Sequence, residues 1–326
     1  MIKPKTNLWR HALPWIVSAA ALGYIFGYAI DWKAIPEATE NANLPLFIAI
    51  TVFDKTLFFT FWACLQTRTL REFVEPVGFR KVLAVKGGAE LLRAGSNLLA
   101  DGAFLYGVSQ LVRNGLAAVM AVSLVPFGTH VAVLLLQSTL ALPFLEGGIG
   151  SNRDVASFVA IGWVGVLAIV VSWRLGYWRR ILRSAGLQEW VTGLNPRKLL
   201  PIFGLFCIFA TFDLIIQRTA SHAFGVDIDW LAFIARLPLL YMAISLPSFA
   251  NFGTRELAWS TLFADFGSRE ALIAFALWTN AIFAIMHVLI GVVFFGRAIG
   301  LLRDLRRARR EGQRVPSPLF HDAIDP

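Results

Sequence analysis

Long apolar runs alternate along the chain with short stretches that carry nearly all the charge. A membrane-crossing helix needs about 20 mostly apolar residues. Segments 13–30, 44–65, 115–145, 155–173, 199–220 and 270–296 meet that requirement, the third with a bend expected at Pro126. Two further regions are apolar but interrupted. Region 82–112 holds Glu90, Arg93, Asn97 and Asp101, and region 230–266 holds Arg236, Pro238, Pro247, Asn251, Gly253, Arg255 and Glu256. Each is too broken for one clean span and long enough for two half-spans. The pattern predicts an all-α polytopic membrane protein with six long spans and two broken, re-entrant helical hairpins. If each broken region crosses twice, the number of crossings rises to eight or more.

Composition agrees. The chain is 57% apolar and 16% charged, against about 45–50% and 25% in soluble proteins, which excludes a soluble globular enzyme and a disordered segment. Cys64 and Cys207 both lie in apolar runs without CxxC or His spacing, so both read as small buried hydrophobes rather than a disulfide or zinc site. The basic N-terminus ahead of an apolar stretch resembles a signal peptide in layout. The stretch exceeds the usual h-region, so it reads as an uncleaved first span.

The net charge of +9 would raise nucleic acid as a partner in a soluble protein; here its location answers that question. Stretches 1–11, 66–93, 174–198 and 297–314 hold 22 of the 30 Lys and Arg. Stretches 31–43, 146–154 and 221–229 hold only Lys33 and Arg153, beside Asp31, Glu37, Glu40, Glu146, Asp154, Asp227 and Asp229. Basic loops stay cytoplasmic, so both termini are predicted inside and nucleic acid is not an expected partner. With these sides fixed, 82–112 enters from and returns to the cytoplasm, and 230–266 does the same from outside. The order span, span, broken hairpin, span then recurs with opposite orientation. That is an inverted-topology repeat, in which paired broken segments point to a transporter's binding site. The chain reads as a single integral membrane domain over 1–326, with a first repeat at 1–145, an inverted second repeat at 155–300 and a basic cytoplasmic tail at 301–326.

The chemistry concentrates at Leu246-Pro247-Ser248-Phe249-Ala250-Asn251-Phe252-Gly253-Thr254-Arg255-Glu256-Leu257. Pro247 stops a helix. Asn251, Gly253 and Thr254 cap or turn, and 257–266 reads as a new helical segment. A helix N-terminus aims free N–H groups and a positive dipole end at an anion, and Arg255 adds a guanidinium that forks onto phosphate or carboxylate oxygens. Glu256 would orient Arg255 or meet a cationic group. A short extramembrane loop whose Arg and Glu meet water is the competing reading.

Pro247-Ser248 followed by Phe252-Gly253-Thr254-Arg255-Glu256 resembles the P-x-s-x-G-G-x-G-x-R-E signature of the flippase-like family. That family is also called the lysylphosphatidylglycerol synthase transmembrane region, the membrane half of the multiple peptide resistance factor. Gly267-Ser268-Arg269-Glu270-Ala271 and Ala223-Phe224-Gly225-Val226-Asp227 are similar to its flanking segments. Asn251 and Phe252 stand where the family has glycines. Asn97-Leu98-Leu99-Ala100-Asp101-Gly102 matches its first-half motif without the proline. The resemblance implies a multi-pass inner-membrane protein that moves or exposes lipid between leaflets. Its site residues would be Arg255 and Glu256, with Asn97 serving the first hairpin. The lipid would be a phospholipid, aminoacyl-lipid, hopanoid or glycolipid, and a separate lipid synthase is an expected partner, since the chain ends shortly after its last span.

Other polar residues fall in or near spans. Asp54 and Asp213 occupy corresponding spans of the two halves and, with Asp101, read either as a polar pathway or proton relay or as locally bonded side chains. Lys55 points to a different helix face from Asp54. Glu90 and Arg93 read as a structural pair, His130 and His287 as hydrogen-bonded packing elements. Arg236 either complements Arg255 or snorkels outward. No GxxxxGKS/T, HExxH or GxSxG motif occurs, so neither an ATP-driven pump nor a hydrolase is expected, and no metal, cofactor or catalytic residue is assigned. A membrane-embedded transferase, or an accessory subunit of a lipid or glycan pathway using Glu90, Asp101 and Glu256, is the alternative.

Overall fold

The computed structural model describes residues 34–40, 42–93, 97–113, 115–146, 152–177, 195–245 and 252–310, together with Gly23 and Gly27. Its regular elements are all helical: α1 (Ala34–Glu40), α2 (Leu44–Phe73), α3 (Phe79–Arg93), α4 (Asn97–Ser109), α5 (Gly115–Ala141), α6 (Arg153–Arg174), α7 (Pro196–Ala223), α8 (Trp230–Ile244), α9 (Thr254–Leu262), α10 (Arg269–Val293) and α11 (Phe295–Arg310). Five of the described helices, α2, α5, α6, α7 and α10, are long and apolar enough to cross a membrane. The predicted first span, 13–30, lies outside the described residues apart from its two glycines.

The helices begin where short polar side chains can cap them. Asn43 accepts from the Leu46 N–H, Asn195 from Arg197, and Ser268 from Ala271. Asp229 accepts from Leu231 and Ala232. Prolines at or next to the first position of α2 and α7 fit the same logic, because the missing N–H would have no partner there.

α2 and α7 form an antiparallel pair fastened at both ends. At one end the Asn43 N–H donates to the Ala223 carbonyl at 2.7 Å. At the other, Lys198 Nζ donates to the Glu72 carbonyl at 3.0 Å. Between these ends Phe61 stacks on Phe209 with centroids 4.0 Å apart. α3 and α4 pair as a hairpin, as do α8 and α9. α3 packs on α10, and α8 on α5. At 15, 13, 15 and 9 residues these hairpin helices are shorter than a bilayer crossing requires. The main core lies where α7, α8, α9 and α10 meet. There Trp259 sits 4.6 Å from Phe263 and 4.5 Å from Phe275, ring to ring.

Two backbone devices position the hairpins. Pro238 has no N–H for the Ile234 carbonyl, and the Gln137 side chain of α5 supplies a donor instead at 2.7 Å; Ser138 bonds the Ala235 carbonyl beside it. Pro238 therefore sits inside α8 without ending it. At Gly291, a Cβ would stand 2.6 Å from Leu91 Cβ and 2.8 Å from Leu91 Cα, so glycine is what lets α3 lie against α10. Gly291→Val is expected to wedge these helices apart, at a cost of about 1–3 kcal/mol. A lower melting temperature in detergent would register it; an unchanged one would mean the contact is dispensable.

Outside the core the surface is apolar. α6 buries only Val155 and exposes Ile161, Val164, Leu167 and Ile169 among others. Such a helix is unstable in water and ordinary in lipid.

Several expectations need correction. Cys64 is exposed on α2 and Cys207 is half-buried; facing lipid, a small thiol needs no protein burial. α2 continues past residue 65 to Phe73, helped by the Arg68–Glu72 pair at 3.0 Å. The new helical segment starts at Thr254 rather than 257, because Gly253, at φ 87°, turns the chain into it. The last described helix, α11, carries the chain from Phe295 into the basic tail as far as Arg310 and packs on α3 and α4, with Ala298 fully buried.

Candidate functional site

Ionisable side chains from α2, α3, α7, α8, α9 and α10 gather inside the bundle in two groups, with the Phe283 ring of α10 between them. Arg255 lies over that ring at 4.9 Å and Lys55 at 5.4 Å. Cation–π contacts of this kind gain strength when desolvated.

The first group surrounds Glu90, whose side chain is 2% exposed. Lys55 of α2 and Lys86 of α3 each stand 3.5 Å from its carboxylate, Arg93 at 3.4 Å, and His287 Nδ1 of α10 at 2.6 Å. Lys86 also rests over Phe59 and Phe104. Arg93 pairs with Asp101 at 2.5 Å, and Asp101 is largely exposed. Three cations therefore converge on one buried carboxylate, with a second only at the rim.

The second group has the opposite imbalance. Arg255 sits in the first turn of α9 and is buried; its Nε makes no hydrogen bond, and no carboxylate of the described residues stands within ion-pair distance of it. Its charge is felt by Glu256, Tyr241, Asp54 and Asp213. Glu256, fully buried, accepts from the Gly253 N–H and from Asn280 Nδ2, each at 2.7 Å. It thus closes the start of α9 and ties that helix to α10. Asp54 accepts from Gln217 Nε2 at 2.9 Å, and Asp213 accepts a hydrogen bond from the Tyr241 hydroxyl.

Arg255, Glu256, Asp54 and Asp213, four residues singled out by sequence, thus share one interior region. Arg236 does not join them. Its guanidinium bonds the Leu262 carbonyl at 2.9 Å, Asp265 at 3.0 Å and Asn152, bracing α8 against the turn after α9. Asp101 belongs to the Glu90 group through Arg93. Asn97 is half-buried at the start of α4, and Asn251 lies outside the described residues. His287 is hydrogen-bonded as expected, while His130 stacks on Phe206 at 5.4 Å.

Sequence reasoning missed the roles of Lys55, Lys86, Gln217, Tyr241 and Phe283. For Lys86 a signal existed: Lys86, Glu90 and Arg93 fall at helical spacing on one face. For Gln217 and Phe283 none did, since their partners come from other helices. No group of three or more His, Cys, Asp or Glu among the described residues is placed to hold a metal. Comparison of the sequence with protein-family models and with curated proteins returned no match.

Proposed function

We propose that the chain is a flippase-like lipid transporter of the inner membrane, with both termini cytoplasmic, that moves or exposes an anionic lipid headgroup between leaflets. The observation that carries this reading is Arg255: a buried guanidinium at a helix start, with an unbonded Nε, inside an apolar bundle. A charge held there without an ion-pair partner is costly, and phosphate oxygens are the partner its fork fits. The excess of cations around Glu90 offers a second station for the same headgroup.

The packing supports an inverted repeat. Exchanging α2 with α7, α3 with α8, α4 with α9 and α5 with α10 turns the α3–α10 contact into α8–α5, and α3–α4 into α8–α9. It likewise turns α4–α5 into α9–α10, α2–α3 into α7–α8 and α5–α7 into α10–α2, and it leaves α2–α7 unchanged. Asp54 lies ten residues from the first residue of α2 and Asp213 ten from the last of α7. Both are therefore about 15 Å from the same end of the bundle, near the middle of a bilayer core of about 30 Å. A groove of about 350 Å³ lined by Ala121, Leu124, Gly128, Leu199 and Phe203 runs between α5 and α7. It suits an acyl chain while the headgroup travels inside.

The test is leaflet exposure of fluorescent phosphatidylglycerol in vesicles reconstituted with the purified chain. Faster exposure than in protein-free vesicles supports the reading; equal rates refute it.

A further inference from the structure

Asp54 and Asp213 are each more than nine-tenths buried, and neither has a cation of the described residues within ion-pair distance. Each has a neutral donor instead: Gln217 for Asp54 and the Tyr241 hydroxyl for Asp213. Gln217 and Asp213 lie one turn apart on α7, so one amide stands between the two carboxylates. Two buried carboxylates with only neutral partners gain more from binding a proton than from staying ionised together.

We infer that Asp54 and Asp213, bridged by Gln217 and closed by Tyr241, form a proton-binding site whose occupancy is tied to that of Arg255. The tie rests on the headgroup reading above. The ionisable groups facing the site are Lys55 on α2, Tyr241 on α8, and Arg255 and Glu256 on α9. On α5, His130 has its ring 6.1 Å from that of Tyr241. Lys55 is engaged with Glu90, so Arg255 is the remaining cation whose charge acts on Asp54, Asp213 and Glu256. A phosphate arriving at Arg255 adds another negative charge. A proton taken from water onto the Asp54–Asp213 pair removes one. Anion and proton therefore favour each other's binding, and each raises the other's affinity by the same factor. The sign follows: headgroup affinity is full at pH below the midpoint of the lipid-free site and falls as pH rises through the midpoint of the lipid-bound site, by the same factor in all as the two midpoints differ. A proton gradient can then drive the headgroup.

The site is read directly by infrared difference spectroscopy of the full chain in phosphatidylcholine nanodiscs, between acidic and alkaline pH. The expected result is a protonated-carboxyl C=O band that titrates away with rising pH, is lost in both Asp54→Asn and Asp213→Asn, and is unaffected by exchanging sodium for choline. Tyr241→Phe, which keeps the ring, should shift the band by removing one hydrogen bond. Absence of the band, its survival in both Asn variants, or its displacement by sodium overturns the proton site. Adding phosphatidylglycerol should move the midpoint up by about one pH unit in the wild type and not in Arg255→Ala. A titrating band whose midpoint ignores phosphatidylglycerol overturns the tie to Arg255 and separates that failure from failure of the proton site.

Discussion

Replacing Glu90 with Gln is expected to lower the stability of the detergent-solubilised protein more than any other single polar substitution in the bundle. Glu90 is the one buried carboxylate that Lys55, Lys86 and Arg93 share, and His287 bonds it as well. Gln keeps the shape and removes the charge, leaving three cations with only the exposed Asp101 at their edge. Breaking a buried ion pair by removing one partner costs about 3–5 kcal/mol, because the other charge stays behind uncompensated. Thermal unfolding should register the loss, and combining Lys86→Met with Glu90→Gln should recover part of it by removing a stranded cation. A double-mutant cycle isolates that coupling. Equal stability of wild type and the Glu90→Gln protein would mean the cluster is hydrated or already neutral, and the charge imbalance would lose its significance.

The second large effect is on binding. Arg255→Ala is expected to weaken association of phosphatidylglycerol with the purified chain by about tenfold to a hundredfold, the value of a charge-assisted hydrogen-bond set. Arg255→Lys should fall in between, because an ammonium keeps the charge and loses the planar fork. Native mass spectrometry, titrating phosphatidylglycerol against phosphatidylcholine, measures both. Stability should change far less than in Glu90→Gln, since the guanidinium has no ion-pair partner of its own, its Nε is unbonded, and the Asp54–Asp213 pair can take up a proton in its absence. That split, weaker binding without weaker folding, distinguishes a ligand-facing arginine from a structural one such as Arg236, whose partners Asp265, Leu262 and Asn152 depend on it.

The long helices were legible because membrane spans are written in length and apolarity, which need no tertiary information. The two hairpins were legible for a related reason: Gly253 and the charges of 82–112 interrupt apolar runs at points where a continuous span would fail. The ends of α2 and α11 were not. Residues 66–73 and 301–310 are rich in charge and carry no apolar run that marks a span; the first is braced by the Arg68–Glu72 pair, and the second continues a helix that packs on α3. The candidate site was half legible. Arg255, Glu256, Asp54 and Asp213 stood out because a charge at membrane depth is conspicuous wherever it falls. Lys55 stood out too, but its partner Glu90 is on another helix, and no spacing rule links them. Gln217, Tyr241 and Phe283 are ordinary residues for a membrane helix, and only their neighbours make them part of the site.

Leaflet exposure of fluorescent phosphatidylglycerol in vesicles, comparing the wild type with Arg255→Ala at matched reconstitution and matched melting temperature, tests the central claim most directly. The buried arginine as headgroup station predicts that the wild type accelerates exposure and that the alanine protein falls to the rate of protein-free vesicles. Equal rates from the two folded proteins would contradict it.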